Sequence, residues 1–311
     1  MDLSAALPTF VVTLREGFEA ALVVGIVLAC LNKAGQTQLY RWVYRGIGGG
    51  IVASVIVGFL LAGVLQGISD RPTPYTPVIK EILAGIFGLM AIAMLSWMLI
   101  WMTQQAKSIK FEVEEVIQTA LAKNDSAGKA IFLLVFIAVL REGFETVLFI
   151  LAKFQQGFIW PATGALIGLL AAAGLGILLF KWGVKINIRL FFQAMGILLL
   201  LIVGGLVIGA LKHVDAAVGL LAQLDWHYGS WCITKRESCL LGPLVWDASG
   251  FLSDRTFPGI ILKSLFGYRQ TLYLGQAIAY LLFMVIVGGA YLFSLTGRAV
   301  FKTNPQAGKK I

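Results

Sequence analysis

Leu14-Arg15-Glu16-Gly17-Phe18-Glu19 recurs as Leu140-Arg141-Glu142-Gly143-Phe144-Glu145, and each copy interrupts a stretch otherwise apolar enough to cross a membrane. From residue 14 to 22, seven of nine positions repeat at an offset of 126. The two stretches, 8–31 and 130–152, flank a chain of further apolar runs: 46–69, 82–106, 154–180, 190–211 and 270–297. A span needs about 20 mostly apolar residues to cross about 30 Å of hydrocarbon. The sequence therefore predicts seven transmembrane helices. Three spans separate the copies, so the second runs the opposite way, as in inverted-repeat transporters whose site lies near the midplane.

The composition agrees. Of 311 residues, 59% are hydrophobic and 13% charged, with mean hydropathy +0.86; a soluble domain carries roughly 25% charge. The net charge of +9 reads as membrane topology and not as a nucleic-acid surface. Fourteen basic residues follow the odd-numbered spans, among them Lys33, Arg41, Arg45, Lys181 and Arg189, against nine in the opposite segments. The positive-inside rule then puts the N-terminus outside and the C-terminus in the cytoplasm. The start of the chain does not read as a cleaved signal peptide, having Asp2 and no basic region before its apolar stretch.

Each motif buries one arginine and two glutamates. Insertion scales set roughly 2.5–3.5 kcal/mol against a charged residue at mid-span, so six such residues mark a functional site. On a helix Glu16 and Glu19 share a face, and Arg15 can pair with Glu19. Gly17 and Gly143 keep the backbone slim beside the carboxylates, letting the two motif helices approach each other. Glu16 lies eight residues past Pro8 and Glu142 twelve past Ala130, about 12 and 18 Å in from opposite sides. In a core of about 30 Å those are one level. Two arginines cannot neutralise four glutamates, and the remaining −2 calls for a cation or protons. Carboxylates favour hard or borderline ions. The spans hold no histidine, which argues against a zinc site and a di-iron oxidase.

Other residues are more equivocal. Glu81, beside Lys80, reads either as an interfacial ion pair or as an access-path ligand. Asp247 is a capture candidate in the long loop 212–269, whose Trp and Tyr residues suit an interfacial fold. Glu112, Glu114 and Glu115 read as the solvated face of an amphipathic connection over 103–128. The Met and Trp residues from 90 to 102 read as span core and interfacial belt. Cys232 and Cys239 share the outer loop, where a disulfide is the favoured reading over free thiols or a metal site.

Two intramembrane Arg-Glu-Gly-x-Glu motifs, on spans one and four of seven, resemble the oxidase-dependent iron permeases: the high-affinity ferric permease of fungi and its bacterial EfeU-type relatives. Trp97-Met98, Trp101-Met102 and Val245-Trp246-Asp247-Ala248-Ser249 look similar too. The family usually has Leu where this chain has Phe18 and Phe144. Gly250 stands where the fungal loop has Glu. The resemblance implies that Glu16, Glu19, Glu142 and Glu145 bind or relay iron, with Arg15 and Arg141 setting their charge and orientation. It also implies ferric iron as cargo and an extracytoplasmic oxidase or iron-binding partner. No copper, haem or flavin motif is present, so no redox cofactor is expected.

The reading is one all-α membrane permease domain over 1–311. It comprises repeat one (about 8–106), the connection (about 103–128), repeat two (about 130–211), the outer loop (about 212–269) and a seventh span (about 270–297). A bacterial cytoplasmic membrane is the expected location. The rivals are a carrier for another divalent metal such as Mn²⁺ and an intramembrane enzyme using the glutamates as acid and base.

Overall fold

The computed structural model describes residues 3–69, 75–105, 117, 127–152, 159–184, 187–224, 232, 238–254 and 256–295. Six long helices follow one another: α1 (Leu3–Lys33), α2 (Tyr40–Ser69), α3 (Thr76–Gln105), α4 (Ala127–Ala152), α5 (Ile159–Phe180) and α6 (Ile188–Leu224). After them come strand β1 (Leu244–Asp247), α7 (Gly259–Phe266), β2 (Thr271–Tyr273) and α8 (Leu274–Phe283). A π-helical stretch, Met284–Gly288, joins α8 to α9 (Gly289–Leu295). By length and composition five helices can cross a membrane: α2, α3, α5, α6 and the unit Leu274–Leu295. The chain is thus a multi-pass helical membrane protein. The helices α1 and α4, of 31 and 26 residues, carry the charged motifs. Most of the 103–128 connection, with Glu112, Glu114 and Glu115, lies outside the described residues, as do Trp226, His227, Tyr228 and Trp231.

Packing follows the small residues. On α5, Gly164, Gly168, Ala172 and Gly176 recur every fourth position, one stripe on a helix surface. They meet Ala6, Phe10 with Thr13, Gly17 and Ala21 of α1. On α2, Gly46, Gly50, Ser54 and Gly58 recur likewise, meeting Phe132, Phe136 with Val139, Gly143 and Val147 of α4. The α4 partners stand 126 residues after their α1 counterparts, the same offset as the motifs. A Cβ on Gly168 would lie 2.7 Å from the Phe10 carbonyl oxygen, and one on Gly50 would lie 2.8 Å from Val139 Cβ. Such spacing brings backbones together where lipid offers no hydrophobic drive. Gly17 and Gly143 therefore face α5 and α2, not the opposite motif helix as the sequence suggested. They sit about 100° around the helix from the neighbouring glutamates.

Two apolar clusters flank the charged motifs. One gathers Val11 and Val12 of α1, Leu95 and Leu99 of α3, Phe149 of α4 and Leu199 to Leu206 of α6. The other holds Val27 and Leu31 of α1, Val43 of α2, Ile117, and Ile131, Val135 and Val139 of α4. Residues before Glu16 thus meet a residue after Glu145, and those after Glu19 meet residues before Glu142. Helices α1 and α4 run antiparallel, with their carboxylates between two apolar layers.

The loop differs from its sequence reading in three ways. At 37 residues α6 is about 55 Å long, running through Lys212 to Leu224 where a loop was expected. His213 and Asp215 are therefore helical, and Asp215 Oδ1 anchors the following chain by accepting from Ser238 Oγ (3.0 Å) and Leu240 N (2.6 Å). Strands β1 and β2 pair antiparallel, adding a small ribbon to an otherwise helical fold. Lastly, α7 drops back along the spans. Gly267, in the left-handed region at φ 71°, ends α7 and lets Tyr268 N donate to Leu262 O (3.2 Å). Its backbone abuts Gly205, inside the apolar stretch 190–211, and Leu265 packs on the first apolar cluster. Cys232 and Cys239 form a disulfide with Cα atoms 4.4 Å apart.

Candidate metal centre

Helical spacing and the antiparallel crossing of α1 and α4 together assemble the carboxylates. Glu16, Glu19 and Glu142 each offer an oxygen, and these oxygens all lie within 4.8 Å of one another. Glu145 stands at the margin, its Oε1 3.2 Å from Arg141 Nε. The two arginines behave differently. Arg15, 2% exposed, places Nη1 at 2.8 Å from Glu16 Oε1 and Nη2 at 3.1 Å from Glu19 Oε1. Arg141 has a side chain 45% exposed, pairs with Glu145 and lies over the Trp101 ring, 4.7 Å from its centroid.

Four carboxylate oxygens are buried and accept no hydrogen bond among the described residues: Glu16 Oε2, Glu19 Oε1, Glu142 Oε2 and Glu145 Oε2. Glu19 Oε1 is close to Arg15 as an ion pair but not in hydrogen-bond alignment. Buried polar atoms are almost always satisfied, and an unsatisfied buried carboxylate oxygen costs more than a neutral group. Thr13 Oγ1 and Ser96 Oγ share this condition. An oxygen-rich, anionic pocket of this kind fits a hard or borderline metal cation.

Sequence reasoning missed the part played by α3. Arg15 Nη1 donates to Met98 Sδ (3.1 Å), while Trp101 receives Arg141. Met98 and Trp101 are three residues apart, so one face of α3 meets both motif arginines. The i, i+3 spacing of Met98 and Trp101, within Trp97-Met98 and Trp101-Met102, was the available signal, and it reads equally well as span core. Away from the cluster, Glu81 Oε2 contacts His213 Nδ1 at 2.7 Å, linking α3 to α6. Neither sequence alternative for Glu81 named this histidine. Asp247 ends β1 fully exposed, accepting from Ser249 N (2.9 Å). A hydrogen bond from the Ser249 side chain, and then that backbone bond, hold its pKa below the usual carboxylate value. It lies apart from the three clustered glutamates.

A model of the iron permease FTR1 family matches residues 6–300. An uncharacterized protein of Synechocystis sp. is 54% identical over 300 residues, 96% of each chain. The ferrous iron permease EfeU of Shigella sonnei is 30% identical over 291 residues, 93% of this chain and 96% of that one. EfeU of Yersinia pestis is 30% identical over 303 residues, covering 97% and 98%. No solved structure matches.

Proposed function

Because this chain belongs to the iron permease FTR1 family, a family of permeases and not of enzymes, we propose that it imports iron through the carboxylate cluster between α1 and α4. The observation that carries this reading is the set of buried, unsatisfied oxygens on Glu16, Glu19, Glu142 and Glu145. Desolvated carboxylates left without partners are stabilised by a cation that binds them. Glu16, Glu19 and Glu142 are the ligands in this reading. Glu145 relays, and Arg15 and Arg141 offset half of the formal carboxylate charge when no ion is present.

The proposed architecture has seven spans, counting α1, α4 and the unit Leu274–Leu295, with α1–α3 and α4–α6 as inverted repeats. The matched glycine contacts at one offset support it. So does the pairing of α1 with α5, α2 with α4 and α3 with α6, which maps onto itself when the two halves are exchanged. The loop containing α7 faces outward and the C-terminus the cytoplasm of a bacterial cell, following the basic-residue asymmetry. In this arrangement the cluster is closed from both sides by its apolar layers, with Leu265 of α7 in the outer one. Import then requires each layer to open in turn.

With formal charges of two arginines and four glutamates, Fe²⁺ neutralises the cluster and Fe³⁺ leaves it at +1. The EfeU relatives are named ferrous permeases, and we adopt the ferrous ion in place of the ferric one first implied by the resemblance. An extracytoplasmic iron-binding partner delivers it at the α7 face, and no oxidation step is required of that partner.

Purified protein in proteoliposomes should take up radio-iron, and Glu142→Gln should reduce uptake to less than about a tenth. Glu16→Gln should do the same from the other helix, and the double variant should be little worse, because groups acting as a unit are not additive. Normal uptake by both single variants would overturn the shared site.

A further inference from the structure

Met98 is 3% exposed and lies on the α3 face that meets the carboxylate cluster. A buried methionine in a span needs no explanation beyond packing, and leucine would pack as well. What sets Met98 apart is its contact. Its Sδ takes a hydrogen bond from Arg15 Nη1 at 3.1 Å, and that same nitrogen is 2.8 Å from Glu16 Oε1. The Arg15 guanidinium is thus a tethered cation whose near neighbours include Glu16, Glu19 and a thioether sulfur.

A metal ion drawn to Glu16 and Glu19 competes with this guanidinium for the same carboxylates. When the ion enters and Arg15 gives way, the sulfur loses its donor and is left facing the ion. From Glu16 Oε1 the sulfur is no farther than the two Arg15 contacts laid end to end. A metal holding oxygen at about 2.1 Å and sulfur at about 2.3 Å needs them within about 4.4 Å. Methionine's three rotatable bonds cover the difference.

We propose that Met98 is a specificity-determining ligand of this permease: its thioether joins the carboxylates when Arg15 is displaced, and selects Fe²⁺ over harder ions. Thioethers favour softer metals, and carboxylates alone discriminate poorly along the divalent series, where Mn²⁺ binds most weakly and Fe²⁺ only slightly better. One sulfur in an oxygen site therefore separates ferrous iron from Mn²⁺, and from Fe³⁺ more strongly still. This inference rests on the carboxylate site proposed above.

The test uses full-length protein in detergent under anaerobic conditions, with Fe²⁺ and Mn²⁺ as separate probes. Calorimetry reads affinity, and iron-edge X-ray absorption reads the atoms around bound Fe²⁺. Wild-type protein should show one sulfur neighbour, absent in Met98→Leu. That variant should bind Fe²⁺ about tenfold more weakly and Mn²⁺ within about twofold of wild type. Met98→Gln offers Arg15 an oxygen acceptor without sulfur, and should also lose the preference for Fe²⁺.

Bound Fe²⁺ without a sulfur neighbour would overturn the role of Met98 and leave the carboxylate site standing. Equal losses of both metals in Met98→Leu, restored by Met98→Gln, would also overturn it, reducing Met98 to a positioner of Arg15. Wild-type protein that binds neither metal would remove the carboxylate site itself. Should Met98→Leu fail to fold, the wild-type sulfur neighbour and the glutamine variant still decide.

Discussion

The two Arg-Glu-Gly-Phe-Glu segments are identical in sequence and unequal in surroundings. Around the first, α6 presses Phe191 against Phe18 with ring centroids 4.4 Å apart, and Phe18 is fully buried. Arg15 is enclosed between Glu16, Glu19 and Met98. Around the second, Phe144 is 40% exposed and Arg141 leans on Trp101 at the surface of the bundle. The small-residue stripe contacts of the two copies match residue for residue, so the difference comes from what else covers them. Helices α6 and α7 lie against α1. One copy therefore encloses its arginine among the carboxylates. The other keeps its arginine half exposed, against Glu145 and the Trp101 ring.

Substituting the two arginines should break this pairing most visibly. Arg15→Gln leaves Glu16 and Glu19 buried without their partner, a loss of about 3–5 kcal/mol for a broken buried pair. Arg141→Gln removes a half-exposed contact and should cost about 1 kcal/mol or less. Thermal unfolding in detergent measures both, and equal losses would mean the copies are equivalent.

Phenylalanine truncation separates the copies by packing alone. Phe18→Ala opens a cavity beside Phe191 and should destabilise by about 3 kcal/mol. Phe144→Ala, at a half-exposed position, should fall within about 1 kcal/mol. A reversed order would show that Phe144 is covered in the working protein by lipid or another chain.

The glycine stripes should behave alike where the motifs do not. Gly168→Ala and Gly50→Ala each push a methyl into the neighbouring helix, and each should cost about 1–3 kcal/mol. Divergent losses would weaken the two-fold reading. Gly267→Ala should be at least as damaging, since it adds strain at φ 71° to a clash with Gly205.

The smallest effect belongs to the loop. Asp247 is exposed and satisfied locally by Ser249. Asp247→Asn should leave iron uptake within about twofold of wild type, and a large loss would make this loop part of the iron path.

Much of the site was legible in the sequence because its cost is local. A charged residue inside an apolar run is expensive wherever the helix goes, so repeated Arg and Glu announced themselves, and helical spacing gave the Arg15–Glu19 and Arg141–Glu145 pairs. The small-residue stripes on α2 and α5 were legible too, had their four-residue period been followed. Met98 was not, because a methionine in a span has the same signature whether it packs against leucine or accepts from arginine. His213 against Glu81 joins residues 132 positions apart, and no local pattern encodes that distance.

The sequence by itself determined that this chain is a helical membrane protein with charge buried in two related helices, since hydropathy and period are properties of contiguous residues. Only the tertiary structure decided which carboxylates meet, that Gly17 and Gly143 face α5 and α2, and that α7 returns to Gly205. Those outcomes depend on how helices cross, and a crossing is set by complementary surfaces drawn from distant segments. The same hexapeptide can therefore be enclosed in one copy and half exposed in the other. Its own residues fix the helix, and its neighbours fix what the helix meets.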